Sequence, residues 1–331
     1  MSYDTIGAKK SEFDIDDEYF GIAEEPAAQS TLLDRHRTDL ERSGLSEETI
    51  AGSNIYSARP EHAKSILGFN PGPGMAIPYP GTEPPFIRIK PDELFGDTKA
   101  KYLSPKKSVY TAGNRLFIPC NLHPQVLEDA GIPLIVTEGE KKALAACQNG
   151  FPTIALSGVT CWVSIGEDGV SRPISDLDKI AWNGRRVYII FDSDIAKKEP
   201  VRAEAKKLAQ HLSTKGAVVT APRLPPPTPK EDEDHKLGDK FGLDDYLVIR
   251  GVHALRDILH GSRTVLPARL EPKKALPVNL VGDWVLKTLK LRFADGRVWV
   301  YRDGVYRPDG EQAVEELALV CLSQDMSWTR N

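Results

Sequence analysis

The chain has 331 residues, 40% of them hydrophobic and 27% charged, the composition of a globular protein of about two domains with a sizeable core. It contains no apolar run of the roughly 18 residues that a membrane span needs. Its four cysteines (Cys120, Cys147, Cys161 and Cys321) lie too far apart for a zinc ribbon or a disulfide framework. A net charge of −4 by itself disfavours a nucleic-acid partner, but residues 1–28 hold eight acids against Lys9 and Lys10, so the remaining 303 residues carry +2.

The acidic, nearly aliphatic-free start is not a secretory signal and reads as a disordered tail over 1–30. A cytoplasmic, reducing setting is expected. Short helices follow, with a capping signature opening at Ser46 and a partial apolar stripe of Leu32, Leu33, Leu40 and Leu45. Residues 70–85 are so rich in Gly and Pro that they predict a loop with one short strand. FIRIK (86–90) and RLFIP (115–119) have strand patterns.

From residue 132 strands and helices alternate. IPLIVTE, FPTIALSG, RRVYIIFDSD and AVVTAPRL read as four strands, separated by helices over 139–150, 174–182 and 198–214. Such repeated units imply a parallel sheet with right-handed crossovers. The charged, Pro-rich stretch 225–240 predicts an exposed loop, and Gly242-Leu-Asp-Asp-Tyr-Leu opens another helix. A Pro-rich linker is expected over 261–279, then a hairpin turning at Asp295-Gly296 and a helix over 311–322. The chain reads as a piece of something longer.

Acids stand at the carboxyl ends of the predicted strands, where open parallel sheets carry their sites. Glu138 ends the first strand, Asp192 and Asp194 end the third, and Asp244 and Asp245 follow the fourth. Carboxylates gathered at one edge repel one another unless a hard divalent ion lies among them, and oxygen donors select Mg²⁺ or Mn²⁺. Gly139 leaves room for close approach at the turn.

Ile135-Val-Thr-Glu-Gly-Glu-Lys-Lys-Ala143, Phe191-Asp-Ser-Asp194 and Gly242-Leu-Asp-Asp-Tyr-Leu247 resemble the three signatures of a Toprim domain. Lys101-Tyr-Leu-Ser-Pro105 and Arg115-Leu-Phe-Ile-Pro119 are similar to the segment that precedes Toprim in primases. Together with the Leu40–Ser46 stretch, they resemble the N-terminal module of phage and plasmid primase–helicases.

The resemblance implies an α/β fold, a Rossmann-like parallel sheet of about four strands with flanking helices. It divides the chain into an α+β primase subdomain (31–125), a Toprim domain (126–260) and a small α+β domain (280–331) similar to the one before a viral-type helicase. It also implies primer synthesis on single-stranded DNA from NTPs or dNTPs, with a replicative helicase as partner. Glu138 is then the general acid/base or metal-organising residue, and Asp192, Asp194 and Asp244 are metal ligands. Two departures stand out: Lys141 and Lys142 lie where primases commonly have an acid, and no zinc-binding set exists. A Toprim nuclease and a degenerate DNA-docking module are the alternatives.

Positive charge concentrates just upstream, in Arg88, Lys90, Lys99, Lys101, Lys106, Lys107 and Arg115, with Tyr102 and Tyr110 interleaved. Cations bind the phosphate backbone and rings stack bases, so these cations and Tyr102, with Lys141 and Lys142, are the expected nucleic-acid or NTP contacts. Trp162 and Trp182 read as packing residues, and residues 71–74 lack the Lys-Ser/Thr of a P-loop.

Overall fold

The protein is described by a computed structural model covering residues 31–96, 100–166, 168–238, 240–261, 282, 285, 286, 288–302 and 304–323. The acidic tail over 1–30, Lys99 and the linker over 262–279 lie outside the described residues.

Two helices open the described chain, α1 (Asp34–Arg42) and α2 (Glu47–Gly52). Ser46 caps α2 as its sequence position predicts, its hydroxyl accepting the Thr49 N–H at 3.2 Å. Then come β1 (Tyr56–Ala58), α3 (Pro60–Leu67), β2 (Gly74–Tyr79) and β3 (Phe86–Pro91), the three strands pairing antiparallel in chain order. The Gly/Pro stretch therefore supplies the middle strand of a sheet. Pro78 is tolerated there because β1 pairs β2 only as far as Ala76, leaving Pro78 with β3 as its single neighbour. Alternation then decides the packing. Ala76 and Ile89 face α3 through Ala63 and Leu67, while Met75, Ile77, Tyr79 and Phe86 face the other way.

The second sheet is assembled from β4 (Leu116–Phe117), β5 (Leu134–Glu138), β6 (Thr153–Leu156), β9 (Arg186–Ile190) and β10 (Val218–Thr220). Between β6 and β9 a hairpin intervenes, β7 (Val163–Ile165) with β8 (Ser171–Pro173). The strand order is β10-β9-β5-β6-β4; the first four are parallel, as the alternating pattern predicts, and β4 joins β6 antiparallel. A short helix α4 (Gln125–Glu128) leads into β5, α5 (Glu140–Gln148) links β5 to β6, and α6 (Glu199–Thr214) links β9 to β10.

Leu134 and Val136 share one layer with Val187, Ile189 and the α6 residues Leu208 and Leu212, and Trp162 and Trp182 are buried in the same layer. Ile135, Tyr188 and Ile190 face the opposite layer with Phe241, Tyr246 and Leu255. The strands are buried on both faces, which is why they are written in Val, Ile and Leu rather than in alternation with polar residues.

The stretch 225–240 departs from the loop that its composition predicts. It contains α7 (Pro229–His235), started by a capping box in which Thr228 accepts the Glu231 N–H and Glu231 returns to the Thr228 N–H. Next is α8 (Leu243–Gly261), interrupted by non-helical backbone at Gly251. The C-terminal unit pairs β11 (Leu291–Ala294), β12 (Arg297–Arg302) and β13 (Val305–Arg307), against which α9 (Gly310–Ser323) packs through Ala313 and Val300. Its first turn falls at Asp295-Gly296, as expected. Among the described residues no helix is long and apolar enough to cross a membrane.

The two sheets meet through α5. Arg88 leaves β3 on the face of Phe86 and donates to Glu140 Oε1 at 2.6 Å, and the Tyr79 hydroxyl donates to the same oxygen at 2.6 Å. Both ionised side chains are buried. Removing one partner strands the other charge in a low-dielectric interior, so Arg88→Met is expected to lower the unfolding free energy by about 3–5 kcal/mol. The double variant Arg88→Met/Glu140→Met should recover most of that loss. Denaturant unfolding of the variants checks this, and a loss below about 1 kcal/mol in Arg88→Met would contradict it.

Candidate active site at the carboxyl edge of the parallel sheet

Strand register brings the acids together. Thr137 pairs with Ile190, so β5 and β9 leave the sheet at one level, β5 through Glu138 and β9 through Phe191 and Asp192. After Asp192 the chain turns through a short 3₁₀ segment, Ser193–Lys197. The Ser193 N–H donates to the Phe241 carbonyl at 2.9 Å, and the Phe241 N–H donates to Ser193 Oγ at 2.8 Å. That pair of bonds pins the start of α8 beside the end of β9. Asp244 and Asp245 thereby reach the same edge from a segment about fifty residues further on.

A lysine stands among these acids. Lys142, one turn into α5, places its ammonium on Asp192 Oδ1, and Lys240 donates to Asp192 Oδ2 at 2.9 Å. A Cβ built on Gly242 would lie 2.5 Å from Asp244 Oδ1, 2.9 Å from Lys142 Cε and 3.1 Å from Asp245 Oδ2. Gly242 thus vacates the space through which Lys142 passes beside both acids. Asp244 is buried, 6% exposed, and its Oδ1 has no hydrogen-bond partner among the described residues. Asp194 lies at the rim, paired with Lys198 at 2.6 Å.

The charges bias one another. Burial pulls the Lys142 ammonium down, yet Asp192, Asp244 and Glu138 together hold it above the ordinary lysine value. Burial raises Asp192, but Lys142 and Lys240 overcome it and keep the carboxyl below its usual range. Glu138 goes the other way: burial, helped by the Asp192 charge, lifts its carboxyl above the glutamate range against Lys142 and Lys240. Asp245 is lifted by burial and by the neighbouring charge of Asp244. One edge thus holds a carboxylate that stays ionised and a carboxyl that protonates early, a split that acid–base sites use.

These residues fit a hard divalent ion. The donors are all carboxylate oxygens, one buried oxygen of Asp244 is unsatisfied, and the Lys142 ammonium is a cation already standing among Asp192, Asp244 and Glu138. Among the described residues, however, no group of three or more His, Cys, Asp or Glu side chains is arranged to hold an ion.

The predicted phosphate-binding cations divide into two groups. Arg88 is buried on Glu140, and Arg115 is buried on Asp176, with bonds of 2.7 and 2.8 Å, and donates to the Tyr110 hydroxyl at 2.8 Å. Lys90 and Lys141 both pair with Asp39, at 2.7 and 3.2 Å, which holds that carboxyl low despite its burial. Lys101, Lys106 and Lys107 are exposed, Lys106 over the Phe69 ring and Lys107 donating to the Ile165 carbonyl. Tyr102 is half-buried, with Arg88 and Lys90 over its ring at 5.4 and 6.0 Å. The exposed cationic surface is therefore smaller than the sequence predicts. Sequence reasoning missed Lys240, whose only signal was its place two residues ahead of the Gly242 motif. It also missed Glu140, Tyr79 and Asp39, whose partners lie on other elements.

Two expectations follow. Gly139 has φ 98°, and its Cβ position meets nothing nearer than Lys142 Cδ at 3.9 Å, so Gly139→Ala is opposed by backbone strain and not by crowding. It should cost about 1–3 kcal/mol in thermal or denaturant unfolding, and a neutral result would contradict the strained turn. Asp192 has a depressed folded-state pKa, so its ion pairs contribute stability that is present above the unfolded carboxylate value, about pH 4, and is lost as pH falls through the folded value. Unfolding followed from pH 7 to 3 should therefore decline more steeply in the wild type than in Asp192→Asn. Parallel profiles would argue against the pairing.

Comparison with known proteins gives three findings. A family described as a domain of unknown function, DUF3854, matches residues 123–254. No curated protein matches. Similar solved structures include the Aquifex aeolicus primase, zinc-binding and RNA polymerase domains, at 15% identity and TM-score 0.48, covering 71% of this chain and 57% of that one. The RNA polymerase domain of Mycobacterium tuberculosis primase, solved with a double-stranded DNA oligomer bearing a 6-nucleotide overhang, is similar at 16% identity and TM-score 0.39, covering 90% of this chain and 78% of that one. The chain thus spans little more than half the length of the A. aeolicus structure.

Proposed function

We propose that this chain is a Toprim-type primase module, making primers on single-stranded DNA by nucleotidyl transfer for a phage or plasmid replication system that includes a helicase. The observation that carries the reading is the carboxyl-edge site itself. Glu138 and Asp192 leave adjacent parallel strands, Asp244 presents a buried unpaired oxygen, and a cation already stands among them. The motif resemblance of these same three segments supports it.

Glu138, Asp192, Asp194 and Asp244 would hold Mg²⁺ or Mn²⁺. When bound, such an ion lowers the pKa of a hydroxyl nucleophile and neutralises the charge of a triphosphate. The chain's own residues supply the rest. Glu138, lifted by burial, has a carboxyl whose affinity for a proton suits it to take one from a 3′-hydroxyl. Asp192 stays ionised beside it through Lys142 and Lys240. The exposed Lys101, Lys106 and Lys107 hold a template backbone on the N-terminal unit, where Tyr102 offers a ring edge.

One observation favours a second reading. Lys142 occupies the place where primases commonly carry an acid, and its ammonium closes on Asp192; a module that docks DNA for a helicase without catalysis would tolerate this. Incubation of the full chain with single-stranded DNA, labelled NTPs or dNTPs and Mg²⁺ or Mn²⁺ separates the readings. Extension products that fall about a hundredfold or more in both Glu138→Gln and Asp192→Asn establish the primase. Binding without product supports the docking module, and a shortened template supports a nuclease.

A further inference from the structure

We infer that Lys142 is a built-in competitor for the divalent cation: its ammonium occupies the carboxyl edge of the free chain, and an ion must displace it to bind. The inference rests on the primase reading only for what the ion is used for. The competition itself stands on geometry.

The side chain runs through space that two glycines leave open and is bonded at its end. It starts one turn into α5, passes Gly139, where Cδ lies 3.9 Å from the Cβ position, and crosses the space left by Gly242, where Cε lies 2.9 Å from the Cβ position. It ends on Asp192 Oδ1. Asp244 Oδ1 lies 2.5 Å from that same Gly242 Cβ position and has no partner among the described residues. Lys142 thus threads between the two acids that a divalent ion would need and satisfies only one of them. Lys240 takes the other oxygen of Asp192, so that carboxylate has no free oxygen while both lysines are in place.

An ammonium and a divalent ion cannot share this space. At separations near 4 Å two positive charges repel strongly at the effective dielectric of a partly buried site. A hard cation also competes with these ammonium donors for the lone pairs of the Asp192 carboxylate. Ion binding therefore includes the work of releasing Lys142 from Asp192. A lysine here has a use that an acid lacks: it offsets part of the negative charge of the edge when no ion is bound. Its flexible stem lets it withdraw, whereas a fixed guanidinium would hold the carboxylate in a fork.

Direct measurement of Mn²⁺ binding to the full chain, by calorimetry or by the spin-resonance signal of free Mn²⁺, tests this without reference to activity. Lys142→Met, which keeps the stem and removes the charge, should bind Mn²⁺ about tenfold or more tightly than the wild type. Lys142→Arg should bind no more tightly than the wild type, and Lys215→Met, changed at a lysine paired with the remote Asp178, should match it. Circular dichroism and melting temperature confirm that each variant is folded. If Lys142→Met misfolds, Lys142→Gln replaces it in the same comparison. Equal Mn²⁺ affinity in folded Lys142→Met and wild type would overturn the inference. A tenfold gain in a chain that makes no primer would retain the competition and overturn the primase reading instead.

Discussion

The first turn of α5 has to satisfy a buried glutamate. Glu140 is 1% exposed, and a carboxylate so placed persists only with a cation and hydrogen-bond donors at hand. Arg88 and Tyr79 meet that need from β3 and β2, so the N-terminal sheet must dock where it does. The consequences run outward one residue at a time. Glu138 leaves β5, Gly139 turns at φ 98°, Glu140 points into the interface, Lys141 reaches Asp39 on α1, and Lys142 reaches Asp192 beyond β9. Five consecutive residues thus connect two sheets, a helix and an acidic edge. A shift of α5 by one residue would take Glu140 out of the interface and Lys142 off Asp192 together, since neighbouring helical positions point about 100° apart.

The small net charge of the body reflects pairing as much as separation. Asp39 sits between Lys90 and Lys141, Asp176 between Arg115 and Lys179, and Asp192 between Lys142 and Lys240. Asp176 is buried and Asp39 and Asp192 are partly so; each is flanked by two cations, and in each the carboxyl is held below its usual range despite desolvation. Two of the three are structural, joining elements distant in sequence. The third lies at the strand ends where sites form. What distinguishes it is the surplus of acid: Glu138, Asp244 and Asp245 stand near the same two lysines that already pair with Asp192. That surplus makes this edge the place that an additional cation would stabilise.

Much of the parallel sheet was legible because its strands are apolar on both faces and end in turn residues, signals that lie within each segment. The acids could be placed at one edge for the same reason, since parallel strands share a direction and their carboxyl ends fall together. The cations were not legible in this way. Arg88 and Glu140 lie 52 positions apart, Arg115 and Asp176 61 apart, and no local pattern marks a lysine or arginine whose partner arrives by tertiary packing. A basic run was read as a surface, although β-strand alternation sends Phe86, Arg88 and Lys90 to one face, and that face is buried against α5 at its first two positions. The helix α7 was hidden by composition: prolines and charges dominate 225–240, and only the Thr228–Glu231 spacing showed a helix start.

Lys142 departs from the motif in sequence but not in position. In the sequence it is a cation where an acid is usual, and that alone argues for a lost site. In the structure the cation reaches Asp192 and passes beside Asp244, through a gap that exists because residue 242 has no side chain. Gly242 and Lys142 lie a hundred positions apart and depend on each other: a Cβ at 242 would crowd Lys142 Cε and Asp244 Oδ1 at once. The chain holds a desolvated ammonium against three acids, and so keeps together the carboxylates that a metal-free site would otherwise drive apart.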